Sequence, residues 1–239
     1  MKRRMVSLLI AIIAILTAGP AVSLQKAEDY YDQARSSPLM FKRIALYSQA
    51  LEIDQDFVQA QRDRGILLFY QGKFAQAIED FDACIEKGLV DAQVYFYRGL
   101  CNLMLERFEG ASSDFSRALD IHPDWPEALS QRAVAHHKAG RIEEALQDVD
   151  QTLQLRGEAR ALARAYNVQG KILMERGQKD LARENFRKAA DLDPSLALFR
   201  PWTNYMSPEQ MSKVGMLALI VLPLLLIFNV SLPAPKKRD

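Results

Sequence analysis

The chain has 239 residues, 49% of them hydrophobic, and its 31 lysines and arginines nearly balance 30 aspartates and glutamates for a formal charge of +1. That balance excludes a nucleic-acid surface, because attraction to phosphate demands a clear basic excess. The length allows one or two ordinary domains, and no Pro-, Gly- or Ser-rich low-complexity run divides it.

Segment 1–23 opens with Lys2-Arg3-Arg4, runs uncharged from Met5 to Ala18, breaks at Gly19-Pro20 and ends in the small residues Ala21-Val22-Ser23. A basic start, apolar middle and small-residue end describe a secretory signal, cut after Ala21 or Ser23. Met5–Leu24 is also long enough to cross a bilayer, so an uncleaved anchor is the alternative.

From residue 24 onward the sequence repeats. Gly65 and Gly99 stand 34 residues apart, Ala133 continues the step, and Gly170 takes the same place after a three-residue slip. Twelve residues beyond each comes alanine, at Ala77, Ala111, Ala145 and Ala182; then Phe81, Phe115, Val149 and Phe186; then Cys84, Ala118, Thr152 and Ala189. Helical spacing links Ile66, Phe69 and Tyr70, then Phe74, Ala77, Ile78, Phe81 and Ile85, so each unit reads as two helices. Between the halves falls a breaker column of Gly72, Gly140 and Gly177, with Glu106 substituting once. Glycine ends a helix cheaply because it accepts the left-handed conformation. Pro123 and Pro194 close two units. The small columns mark where helix axes come closest, since a larger side chain there forces them apart.

These columns resemble the tetratricopeptide repeat. The unit with Tyr95, Gly99, Phe108, Ala111, Phe115, Ala118 and Pro123 carries the pattern, as does the one with Tyr166, Gly170, Gly177, Ala182, Phe186, Ala189 and Pro194. The resemblance implies an all-α fold, a right-handed superhelix of about five helix-turn-helix repeats with a concave groove. The repeats fall at 24–57 (degenerate), 58–91, 92–125, 126–162 with a short insertion, and 163–196, followed by a linker or cap at 197–213. Terminal repeats are expected to be atypical because they cap the stack.

Val214 to Leu232 is uncharged over 19 residues, about 28 Å of helix against a hydrocarbon core of ~30 Å, and is expected to be a C-terminal transmembrane helix at 214–232. Trp202 and Tyr205 precede it as interface anchors. The basic tail 233–239 and the basic N-terminus belong in the cytoplasm. The expected location is therefore a cell membrane, the bacterial inner membrane favoured, with the repeats outside the cytoplasm and the C-terminus inside.

No catalytic constellation is evident, and the chain is read as a non-enzyme with no cofactor. His122, His136 and His137 do not form a ligand set, and no Cys-x-x-Cys or Gly-rich phosphate loop occurs. Cys84 and Cys101 read as buried small residues, with pairing in an oxidising compartment as the alternative. Glu143-Glu144 and Asp148/Asp150 read as a solvated polar face.

The resemblance also implies that first helices line the groove. The exposed groove residues carried over are Arg62, Ile66, Phe69 and Tyr70; Phe96, Leu100, Leu103 and Met104; Val134, His137 and Lys138; and Arg164, Asn167 and Lys171. The middle of that surface is apolar and its C-terminal side polar and basic. Relatives that hold acidic chaperone C-termini use a Lys/Asn/Arg clamp; Arg62 and Ile66, Tyr97, and Glu127 and Gln131 stand at the matching positions, so the clamp is absent. The expected function is a membrane-anchored scaffold holding a protein or peptide, in assembly or maintenance of a cell-envelope complex. The alternatives are a self-associating structural membrane protein, with the groove filled by the chain's own segment or by a second copy, and, behind that, an accessory domain of an enzyme.

Overall fold

The structure is a computed structural model that describes residues 23–155 and 157–193. Ten helices lie among the described residues: α1 (23–36), α2 (Met40–Ile53), α3 (Val58–Tyr70), α4 (Phe74–Glu86), α5 (Ala92–Met104), α6 (Phe108–Ile121), α7 (Pro126–Lys138), α8 (Ile142–Gln154), α9 (Ala159–Glu175) and α10 (Lys179–Leu192). From α2 on, each packs on the next, and the first helices of successive pairs also meet: α3 with α5, α5 with α7, α7 with α9. One side of the array is thus built from first helices.

Each pair turns where the breaker column predicts. Gly72, Gly140 and Gly177 have φ of 75°, 77° and 76°, and Glu106 takes the same conformation at 58°. The chain then closes each first helix with a six-residue reverse bond: Lys73 N–H donates to Leu68 O at 2.9 Å, Arg107 to Asn102 at 2.8 Å, Arg141 to His136 at 2.8 Å, and Gln178 to Leu173 at 2.9 Å. This is the Schellman geometry, and it satisfies carbonyls that the helix end leaves open. Where the second repeat lacks its closing proline, Gly88 (φ 80°) supplies the stop, and Leu89 N–H returns to Cys84 O.

The small columns sit at helix crossings. A Cβ on Gly65 would lie 2.8 Å from the Phe81 ring, on Gly99 2.9 Å from Phe115, and on Gly170 2.7 Å from Phe186. In α7 the place is held by Ala133, and its partner is the smaller Val149; both are fully buried. Methyl and ring are exchanged so that the volume at the crossing is conserved, as a close-packed interior requires.

The helices are also joined by a ladder of arginines 34 residues apart. Arg64 on α3 reaches Asp80 on α4 (Nη2–Oδ1, 2.6 Å) and Ser48 on α2 (3.1 Å). Arg98 on α5 grips Asp114 on α6 (Nε–Oδ1, 3.1 Å) and Asp82 on α4 (2.6 Å). Arg132 on α7 does the same with Asp148 on α8 (2.7 Å) and Ser116 on α6 (3.0 Å). Every rung therefore ties a first helix to the second helix of its own pair and to that of the pair before. Asp148, expected on a solvated face, is instead 2% exposed. A carboxylate can be buried there because a planar guanidinium meets it with two donors. In the last pair the register positions carry the neutral Gln169 and Asn185, and the ion-paired ladder stops.

The expectation of membrane-crossing helices is corrected. No helix among the described residues is long and apolar enough to cross a membrane. The longest helix among the described residues, α9, has 17 residues and carries Arg160, Arg164, Lys171 and Glu175. That is only about 25 Å of helix, with charges that hydrocarbon does not accommodate. The expected signal or anchor at 1–23 (bar Ser23) and the expected span at 214–232 lie outside the described residues. The cell-membrane location built on them, with repeats outside and C-terminus inside the cytoplasm, falls with the same finding.

Candidate functional site

The first-helix side presents three register columns. One runs Ile66, Leu100, Val134, Lys171; the next Phe69, Leu103, His137, Met174; the third Tyr70, Met104, Lys138, Glu175. Along each column the chemistry turns from apolar to polar between α5 and α9.

The apolar end is layered. Ile66 and Phe69 are half-buried against Leu68, Phe81 and Val94. Leu100 and Leu103 are half-buried against Ala111, Phe115 and Ala135, and Val134 against Val149 and Ile172. Only Tyr70 and Met104 project fully, at 60% and 59% exposure. The Tyr70 hydroxyl lies 3.1 Å from that of Tyr97, which fixes its ring on the rim. Phe69 makes edge contacts with both tyrosine rings at 5.3 and 5.5 Å. The result is an aromatic shelf held by rigid helices.

Two of the expected groove residues are committed elsewhere. Arg62 is ion-paired, its Nε donating to Asp63 at 3.0 Å and its Nη1 to Asp91 at 3.1 Å. Phe96 packs between repeats, its ring 4.5 Å from Trp125 and 5.7 Å from Phe115.

The polar end carries the remaining expected residues. His137 Nε2 meets Glu175 at 3.0 Å, and Arg164 Nη1 donates to Ser130 at 2.9 Å. Lys138 and Lys171 are exposed and have no ion pair or hydrogen bond among the described residues. Partial desolvation of its amine, and then the nearby Lys138, lower the pKa of Lys171, while Glu175 beside it pulls the other way. Asn167, one turn before Lys171, has a buried Oδ1 without a hydrogen-bond partner.

Chemistry beyond binding finds no support in the arrangement. Cys84 and Cys101 are free and buried, and burial pushes both thiols up to about 12, so neither offers a thiolate near neutral pH. His136 is buried 3.7 Å from Asp148, turned away from His137, and burial lowers its pKa. No group of three or more metal-ligating side chains converges among the described residues. A cleft of about 570 Å³ between α2, α3 and α4 includes Arg64 and Lys87, but Arg64 is held by Asp80 and Ser48, and Lys87 by Asp56 at 3.1 Å and by the Gln55 carbonyl.

Comparison with known proteins agrees with the geometry. Models described as tetratricopeptide repeat match residues 62–126, 105–161 and 163–196, more than half of the chain. A rice (Oryza sativa subsp. japonica) protein named serine/threonine-protein kinase BSK1-2 is 32% identical over 108 residues, which is 42% of this chain and 21% of that one. The rat (Rattus norvegicus) mitochondrial import receptor subunit TOM70 is 27% identical over 177 residues, 71% of this chain and 28% of that one. The chain thus spans less than a third of the length of these curated relatives. A solved structure of YrrB, titled as a tetratricopeptide repeat protein with an unusual peptide-binding site, superposes with a TM-score of 0.60 at 22% identity, covering 71% of this chain and 88% of that one.

Proposed function

Because the chain belongs to the tetratricopeptide repeat family, we propose that it is a protein-interaction scaffold whose first-helix side binds a peptide or protein segment. The observation that carries this reading is the exposure of Tyr70 and Met104 in one register column, backed by half-buried Phe69, Leu100 and Leu103. Large apolar side chains held out by rigid helices mark interaction surfaces. An amphipathic helix or an extended apolar peptide has the shape such a shelf receives. The proposal is of binding alone; no catalytic role is assigned to these residues.

The test is site-specific photocrosslinking in cells. A photoreactive side chain at Met104 or Tyr70 is expected to give covalent adducts, while one at Ser113, exposed on the second helix α6, gives none. Equal labelling from all three positions overturns the proposal. An adduct of twice the chain's own mass replaces the foreign partner with a second copy.

A further inference from the structure

We infer that the α7–α8 pair is an acid-labile joint in the array, loosened when the buried His136 ring takes up a proton. Leu68 and Leu173 hold the same register place in α3 and α9, and Asn102 holds it in α5. Asn102 completes the rung beside it: its Nδ2 donates to Asp114 at 2.9 Å, a carboxylate already gripped by Arg98. His136 is 8% exposed and faces the equivalent carboxylate, Asp148, but completes nothing. Its Nε2 is 3.7 Å from Asp148 Oδ2, beyond hydrogen-bond reach. Both Asp148 oxygens already accept from Arg132, at 3.0 and 2.7 Å. The Nδ1 of His136 is buried with no hydrogen-bond partner among the described residues, and so is the Nε of Arg141.

A neutral imidazole tolerates this place, because one of its nitrogens carries no proton. A protonated ring has two N–H donors, and neither finds an acceptor among the described residues. Burial works against charge on the ring first, then Arg141 at the turn; Asp148 on α8 favours it, Arg132 on the same helix opposes it, and Glu144 on α8 favours it. From α6 the neutral Ser112 hydroxyl joins the cluster, held by Arg141. Burial and the two guanidinia prevail, so the folded chain holds this proton less well than the unfolded chain does. The neutral ring therefore contributes fully above the ordinary histidine value of 6.5, and its contribution is lost as pH falls from there toward the lowered value. Asp80 and Asp114 run the opposite way, because burial raises their pKa and acid favours the folded form in α3–α4 and α5–α6. A proton reaches His136 only where the ring meets water, which requires α7 and α8 to part. The His136 carbonyl also accepts the closing bond of the turn from Arg141 N–H at 2.8 Å. Parting there frees α7, which packs on α6 and α9 and carries Val134, His137 and Lys138.

The experiment is amide hydrogen exchange of the full chain at about pH 7.5 and about pH 5.5, with protection corrected for the intrinsic rate at each pH. On acidification, protection in α7–α8 is expected to fall about threefold or more, while that in α3–α4 and α5–α6 holds. His136→Asn, which copies α5, and His136→Leu, which copies α3 and α9, are each expected to abolish the fall; should one variant not fold, the other makes the same comparison. His137→Asn is expected to leave the fall in place. Unchanged α7–α8 protection in the wild type overturns the inference, as does the same fall in the His136 variants. A fall removed by His137→Asn and kept by His136→Asn also overturns it, and transfers the effect to the pair of His137 with Glu175. So does an NMR titration in which the His136 ring protonates while the α7–α8 amides stay protected.

Discussion

A methyl group placed on Gly99 has no room, because the Phe115 ring stands 2.9 Å away. Gly99→Ala is therefore expected to destabilise by about 1–3 kcal/mol through overpacking. Adding Phe115→Val, which recreates the Ala133 and Val149 pairing of α7 and α8, is expected to recover part of that loss in urea denaturation. A double variant no more stable than the single one refutes the volume argument. The rung carboxylates make a second prediction at this scale. Asp114→Ala leaves the Arg98 guanidinium with only Asp82 and should cost about 2–3 kcal/mol, somewhat below the full penalty of a broken buried pair because Arg98 is partly exposed. Burial raises the pKa of Asp114, and the Arg98 hydrogen bond only partly offsets it. The folded state therefore binds a proton more readily there than the unfolded chain. The Asp114 contribution to stability grows as pH falls toward the raised value and is diminished above it. Asp114→Asn removes that term, so its melting temperature is expected to drop more steeply on acidification than the wild type's. Parallel curves would count against the raised pKa.

At the scale of the element, the turns show what a breaker residue costs when it is not glycine. Glu106 holds φ at 58°, a conformation that side chains with a Cβ adopt at a penalty, and it does so where three other pairs use glycine. Glu106→Gly is expected to stabilise the α5–α6 hairpin by about 0.5–1 kcal/mol, read as a rise of a few degrees in thermal melting. A fall instead would mean that the Glu106 side chain makes a contact worth more than the strain. These turns were legible in the sequence, because glycine has few other reasons to recur at a fixed step. The crossings were legible for the same reason: the side chains there are at the extremes of size. The ladder was also present, as Arg64, Arg98 and Arg132 and as Asp80, Asp114 and Asp148, each 34 apart. Along a single helix these charges carry no such meaning, and Asp148 looks like a surface residue beside Asp150. The partners are 16 residues away, on the next helix, and only the fold brings them together. Tyr70, Met104, Lys138 and Lys171 are exposed as the columns imply, but register alone could not reveal that Arg62 is ion-paired or that Trp125 covers Phe96.

At the scale of the whole array, each pair touches mainly its neighbours, so cooperativity must pass through shared contacts. The arginines provide such contacts, since each bonds from its own helix to both the helix before it and the helix after it. Arg98→Leu is expected to lower stability and also to separate the unfolding of α1–α4 from that of α5–α10 into two calorimetric transitions. A single transition at lower temperature would show that the rung adds stability without carrying coupling.

The 34-residue repeat of the rungs has a further consequence. A tandem copy of residues 92–125 brings its own arginine and its own aspartate, and the guanidinium finds a serine or carboxylate sixteen positions upstream whichever unit precedes it. The protein is thus built so that gene duplication can lengthen it by whole modules without redesigning a junction. A graft of 30 or 38 residues leaves a half-buried cation facing the wrong side chain.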